Sequence, residues 1–99
     1  MSLTRLQTQA TRREFKINLS RSGRSLNQIA TSLHTTPEVI AQCIAMQPEH
    51  IEDPWIVRNY LLDALAEQGL TPEPFTALVG DYHQYWFLDA ARIERGIID

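Results

Sequence analysis

The sequence has a single cysteine, Cys43, so no disulfide can form within the chain. It has no apolar run near the roughly 20 residues that a membrane-spanning helix requires. Its first residues, MSLTRLQTQATRRE, are polar almost throughout and lack the apolar middle of a secretory signal. These absences argue against a membrane protein and predict a soluble protein of the cytoplasm, where thiols stay reduced.

Motifs of catalysis and ligand binding are missing as well. The sequence has no glycine-rich phosphate loop, no nucleophile elbow and no paired-carboxylate motif. Cys43 and the three histidines (His34, His50 and His83) show none of the spacings of zinc sites, and Cys43 is expected to be a small buried side chain. The pattern predicts a protein that is not an enzyme and that has no metal, no cofactor and no identifiable small-molecule ligand.

Carboxylates are scarce in the first half of the chain, and cations are scarce in the second. Residues 1–48 contain six cations and two carboxylates, whereas residues 49–99 contain three cations and ten carboxylates. This split indicates that the first half faces an anion. The alternative is that the two halves attract each other, or that they attract a second copy of the chain.

Start and stop signals predict three helices before residue 48. The first extends from about Thr4 to Ser20 and is followed by Gly23, a residue on which helices end. Its predicted inner positions are Leu6, Ala10, Phe15, Ile17 and Leu19.

The second helix begins with a capping box of Ser25 and Gln28, and the third begins with Thr36 followed by Pro37. Pro48 ends the third helix. Apolar spacing places the following residues on the inner faces of the two helices: Leu26, Ile29, Ala30, Leu33, Val39, Ile40, Cys43 and Ile44.

A fourth helix is predicted from Asp53-Pro54, a second cap followed by proline, to Gly69. Its apolar residues cover more than one stripe. Such a helix is either sandwiched in the core or partly available to a partner, and a homodimer is one explanation. Together with the aromatic segment that follows, it supplies the candidate dimer-interface residues Trp55, Leu62, Ala66, Tyr85 and Trp86.

The last segment allows two predictions. After an extended linker, LTPEP, a helix over residues 81–95 would be capped by Asp81 and Gln84 and would end at Gly96. Alternatively, YWFL and RIERGII would form a β-hairpin around the turn DAA, because aromatic and β-branched residues favour strands. We favour the helix.

The string ATSLHTTPEVIAQCI resembles the helix-turn-helix of phage-repressor-type DNA-binding domains. The resemblance covers residues 25–46 and includes the small residue at the helix crossing and the apolar and cap positions, here Ala30, Leu33, Thr36 and Ile40. His34 stands where glycine is common, and histidine tolerates a left-handed backbone better than most residues. The resemblance implies two helices that cross closely and steeply, with the outer side of the second left free.

The whole chain also resembles a small family of bacterial proteins of unassigned function, through EDPWIVRNYL, PFTALVGDYH and YWFLD. This second resemblance implies a helix-turn-helix-like first half and no established activity.

Carried onto this chain, the helix-turn-helix pattern suggests base contacts from Thr35, Thr36, Glu38 and Gln42. Candidates for phosphate contacts are Arg12, Arg13, Lys16, Arg21 and Arg24. The second helix of the motif has no arginine or lysine, so the commonest contact to guanine is missing. Three carboxylates that would repel phosphate follow it: Glu49, Glu52 and Asp53.

We therefore predict a mainly all-α single domain spanning residues 1–99, with a helix-turn-helix half (1–47) and an acidic, aromatic-rich half (48–99) that packs on it. The predicted function is a DNA-binding or transcriptional regulatory protein that binds double-stranded DNA weakly or only as a homodimer. The alternative is a non-catalytic interaction or dimerisation module on the same scaffold.

Overall fold

The computed structural model describes residues 4–48, 50–78 and 88–98. These residues form five helices, and none of them lies in a strand: α1 (Arg5–Ser22), α2 (Leu26–Leu33), α3 (Pro37–Ile44), α4 (Asp53–Glu67) and α5 (Ala90–Arg95). The predicted, mainly helical fold is confirmed. Among the described helices, none is both long and apolar enough to cross a bilayer.

The capping signals of the first half act as the sequence predicts. In the Ser25 capping box, the Ser25 hydroxyl accepts from the Gln28 N–H at 3.1 Å, and the Gln28 side chain accepts from the Ser25 N–H at 2.8 Å. Thr36 accepts from the Val39 N–H at 3.4 Å, and Pro37 is the first residue of α3. Local hydrogen bonds thus fix where α2 and α3 begin.

Asp53 does not cap α4, contrary to the sequence prediction. It is the first residue of the helix, and Glu52, which precedes it, makes no side-chain cap hydrogen bond. The carboxylate of Asp53 instead faces Arg92 of α5, with 3.1 Å between Oδ1 and Nη2. The ion pair with a residue 39 positions away has replaced the local cap.

The C-terminal prediction is partly corrected. α5 begins after Asp89, whose carboxylate accepts from the Arg92 N–H at 3.2 Å, and it ends at Gly96 as predicted. Residues 88–89 are not helical, so one continuous helix over 81–95 is wrong. The hairpin is wrong where it can be checked, because most of RIERGII lies in α5. The proposed cap by Asp81 and Gln84 lies outside the described residues.

The core lies around α4, which contacts α1, α3 and α5. The largest fully buried apolar side chains come from four helices and include Phe15, Ile29, Ile40, Ile56 and Leu61. Burial of such side chains supplies the main free energy of folding.

One predicted inner position is wrong: Leu6 is 77% exposed. The inner face of α1 is mostly polar and contains Thr11, Glu14, Asn18 and Ser22 around Phe15. Two of these side chains, Glu14 and Asn18, bind the backbone of the irregular segment 70–78, called the strap below.

Candidate nucleic-acid interface

The turn between α2 and α3 consists of residues 34–36. His34 has a left-handed backbone (φ 60°, ψ 45°), which confirms the conformation expected of it. The Thr35 N–H donates to the Ala30 carbonyl at 2.9 Å, which pairs one of the carbonyls at the end of α2. On the inner side, Ala30 and Ile40 are both buried. A short turn therefore joins α2 and α3, and their inner sides pack on each other.

The residues suggested for base contacts lie at the start and on the outer side of α3. Thr36, Glu38 and Gln42 are exposed, and Thr35 is half-buried. Glu38 and Gln42 are four residues apart, so they lie on one side of the helix. The Thr36 oxygen is already engaged as the helix cap, which leaves its hydroxyl hydrogen for a second partner.

Two of the three carboxylates that follow α3 in sequence are turned inward. Asp53 is 1% exposed and faces Arg92. Glu52 is also buried, and its Oε2 accepts from the Asp89 N–H at 3.2 Å. The third, Glu49, lies outside the described residues. Neither Glu52 nor Asp53 therefore presents its charge to the solvent next to α3.

The outer side of α1 carries most of the exposed cations. Arg5, Arg12 and Lys16 follow one another at intervals of seven and four residues, which places them on one face, and Arg13 lies beside them. Arg5, Arg13 and Lys16 are exposed. The half-buried Arg12 donates from Nε to the Ala45 carbonyl at 2.7 Å, so this face adjoins the C-terminal end of α3.

Arg21 points away from that face and contacts the strap. Its Nη1 donates to the Thr71 carbonyl at 3.2 Å, and its Nη2 lies 3.6 Å from Oε1 of Glu73. An arginine of the basic half thus contacts a carboxylate of the acidic half.

Arg24 lies at a shallow open groove of about 360 Å³ beside α2. Its Nη2 is 3.7 Å from Oε2 of Glu67, at the end of α4. The rest of the groove is lined by hydroxyls and side-chain amides of α2 and by one aromatic ring of α4: Asn27, Gln28, Thr31, Ser32 and Tyr60. Arg24 thus contributes a positive charge to this groove.

The strap is held by buried polar side chains of α1. Oδ1 of Asn18 accepts from the Glu73 N–H at 2.7 Å, and its Nδ2 donates to the Glu73 carbonyl at 2.9 Å. The carboxylate of Glu14 accepts from both the N–H and the hydroxyl of Thr76, at 3.0 and 2.8 Å. Phe75 packs edge-on against Phe15, with 5.0 Å between the ring centroids. Polar side chains of α1 thus bind the backbone of the strap.

Sequence reasoning missed Glu14 and Asn18. Polar residues at helical spacing ordinarily indicate a solvated face, and nothing local distinguishes these two from such a face. The partner of Glu14 lies 62 residues further along the chain, and that of Asn18 lies 55 residues further.

The candidate dimer-interface residues that the structure describes differ in exposure. Trp55 is 4% exposed, with the Arg58 guanidinium 5.2 Å from its ring centroid. Leu62 is half-buried against the core, and Ala66 is exposed. Tyr85 and Trp86 lie outside the described residues. Within the described chain, the exposed large apolar side chains are Leu6, Ile51 and Leu70.

Cys43 is fully buried in the core, as expected. Burial raises the pKa of its thiol from 9.0 to about 12, and the nearby charge of Asp53 adds to this rise. A thiol with so high a pKa stays protonated and unreactive at neutral pH. Among the described residues, no three His, Cys, Asp or Glu side chains are grouped so that they could hold a metal ion.

Comparison with known proteins gives one result. A bacterial family described as "uncharacterized protein conserved in bacteria (DUF2316)" matches residues 1–89. No curated protein and no solved structure matches the chain. Since the match extends over most of the sequence, the chain belongs to this bacterial family, DUF2316.

Proposed function

We propose that this protein binds double-stranded DNA weakly, or as a homodimer, and acts as a regulatory protein. In this proposal α2 and α3 form a helix-turn-helix, and α3 enters the major groove. The observation that carries the proposal is the exposed outer side of α3, which directly follows a turn with the left-handed residue that the motif requires.

Base contacts would come from few side chains. The Gln42 amide can pair with adenine, and Glu38 can accept from the amino group of cytosine. Thr35 and Thr36 lie at the start of α3, where a hydroxyl can reach a base edge or a phosphate. Because α3 has no cation, guanine is not read in the usual way, and sequence specificity is expected to be modest.

Phosphate contacts would come chiefly from α1, through Arg5, Arg12, Arg13 and Lys16. Proteins that bind DNA strongly neutralise roughly 6–10 phosphates. One chain therefore supplies fewer cations than a strong binder uses, and a homodimer would double the number. The burial of Glu52 and Asp53 supports the proposal, because neither carboxylate is exposed beside the outer side of α3.

The test is a fluorescence anisotropy titration of a random-sequence duplex over a series of salt concentrations. We expect micromolar binding that weakens with salt. Lys16→Gln should make the slope of log K against log salt less negative by about 0.9, the value for one lost phosphate contact. The control is Arg95→Gln, which removes the same charge from an exposed position on α5. Equal slopes in the two variants would contradict a role for α1.

A second candidate function is a non-catalytic interaction module without DNA binding. It is favoured by the absence of a cation on α3 and by the engagement of Arg21 and Arg24 with Glu73 and Glu67. If no salt-sensitive binding to the duplex is found at micromolar protein, this candidate replaces the first.

A further inference from the structure

We propose that Glu67 lowers the affinity of the interface for DNA by competing with phosphates for Arg24. This inference rests on the proposed DNA-binding function and adds a mechanism of regulation to it. The carboxylate would act as an internal anion, which the DNA backbone has to displace.

The geometry of the Arg24–Glu67 pair suits such a competition, and the Arg21–Glu73 pair has a similar geometry away from the interface. The nitrogen–oxygen distances are 3.6 Å for Arg21–Glu73 and 3.7 Å for Arg24–Glu67, longer than in a tight charge-assisted hydrogen bond. The side chains are 44% and 39% exposed in the first pair and 33% and 73% exposed in the second. Each pair is thus accessible to another anion and weak enough to be exchanged.

The carboxylates are nevertheless held near the arginines by stronger contacts. Asn18 binds both backbone groups of Glu73, at 2.7 and 2.9 Å. The side chain of Gln68, the residue after Glu67, donates to the Ser22 carbonyl at 2.8 Å. Because these bonds fix the backbone on either side of the pairs, each carboxylate stays at a high effective concentration around its arginine.

The position of Arg24 links this competition to DNA. Arg24 shares its groove with the exposed polar residues of α2, including Gln28 and Thr31. In a helix-turn-helix the first helix of the motif crosses the DNA backbone. A phosphate that enters this groove would meet the Arg24 guanidinium together with hydroxyl and amide donors, and Glu67 occupies that guanidinium in the free protein.

The size of the effect follows from the exposure of the pairs. An exposed ion pair contributes a factor of about 1.4 to 5 to an equilibrium constant. Removing the Glu67 carboxylate should therefore tighten binding between about 1.4-fold and about 5-fold.

The experiment compares Glu67→Gln with Glu73→Gln in the same duplex titration. Both variants change the net charge by one unit and remove the carboxylate of an exposed ion pair, but Glu73 pairs with Arg21, which points away from the basic face of α1. We expect tighter binding for Glu67→Gln than for this control. Thermal unfolding followed by circular dichroism confirms that each variant is folded.

A double-mutant cycle separates the pair from a general effect of charge. In a chain with Arg24→Gln, the further change Glu67→Gln should gain no more affinity than Glu73→Gln does. If the gain from Glu67→Gln persists without Arg24, or if the two single variants bind the duplex equally, the competition is overturned while DNA binding stands. If no variant and no wild-type protein binds the duplex, the proposed function itself fails, and the inference fails with it.

Discussion

Three side chains at the start of α4 and around it show how a single buried charge influences its neighbours. Asp53 is nearly inaccessible to solvent and is neutralised by Arg92 at 3.1 Å, which itself is largely buried. Its negative charge also disfavours ionisation of Cys43, adding to the larger effect of burial on the pKa of that thiol. Burial without a partner would be costly for Asp53, and the ion pair makes it tolerable.

The raised pKa of Cys43 predicts that stability falls at high pH. Below pH 9 the thiol is protonated in both states, so its contribution to stability is fully present. Above pH 9 the unfolded chain loses the proton while the folded protein keeps it up to about pH 12. The free energy of unfolding should therefore decrease by at most about 1.4 kcal/mol per pH unit over this range because of Cys43.

Urea unfolding at pH 8, 9 and 10 measures this effect when the wild type is compared with Cys43→Ala. Any other group that titrates in this range contributes equally to both proteins and cancels. The cavity left by the variant lowers its stability by an amount that does not depend on pH. The same pH dependence in both proteins would contradict the prediction.

At the scale of elements, α1 and the strap form a unit in which buried polar groups take the place of apolar packing. Asn18 is fully buried and pairs with the backbone of Glu73, while Glu14 pairs with the backbone and hydroxyl of Thr76. The ring contact between Phe15 and Phe75 adds apolar packing. Amide and carboxylate side chains can bind the strap because its irregular backbone has N–H and carbonyl groups that a helix would pair internally.

Asn18→Ala should destabilise the protein by about 2–4 kcal/mol, because it leaves the N–H and carbonyl of Glu73 without their partner. Urea denaturation measures the loss. Hydrogen exchange of the Glu73 amide should accelerate more than that of amides within α2. Asn27→Ala, an exposed asparagine of α2, is the control and should change stability by less than about 0.5 kcal/mol. A similar loss in both variants would contradict the role given to Asn18.

The elements differ in how far the sequence predicts them. α2 and α3 were predictable because Ser25 and Thr36 form their caps within three residues, and such bonds leave a local pattern. The inner face of α1 and the role of Asp53 were not, because their partners lie tens of residues away. In the candidate interface, the positions of Glu38 and Gln42 follow from helical periodicity. The ion pairs of Arg21 and Arg24 could not be predicted, because they depend on where the acidic half packs against the first half.

At the scale of the whole molecule, the two oppositely charged halves meet along a limited boundary. Arg21 and Arg24 contact carboxylates of the second half, whereas Arg5, Arg13 and Lys16 remain exposed on α1. Part of the charge split thus serves contacts within the chain, and the rest forms a positive surface available to an anion. Contacts between the two halves therefore account for part of the charge split, and an anion facing the exposed cations of α1 stays a prediction.

The C-terminal residues contact the end of α2, next to the turn between α2 and α3. The Ile98 N–H donates to the Leu33 carbonyl at 2.6 Å, immediately before His34, and the Ile98 side chain is buried. The end of the chain thus pairs a carbonyl at the C-terminus of α2 and covers part of the core beneath the turn. The last segment of the protein supports the turn that positions α3.

Ile98→Ala should therefore destabilise the protein by about 2–5 kcal/mol, the usual loss for truncating a buried isoleucine. The matched control is Ile97→Ala, because Ile97 is only half-buried and should lose less. If Ile98 supports the turn, hydrogen exchange at Thr35, whose N–H pairs with Ala30, should accelerate in the first variant and not in the second. Equal losses of stability in the two variants, or unchanged exchange at Thr35, would show that the C-terminal residues do not hold the turn in place.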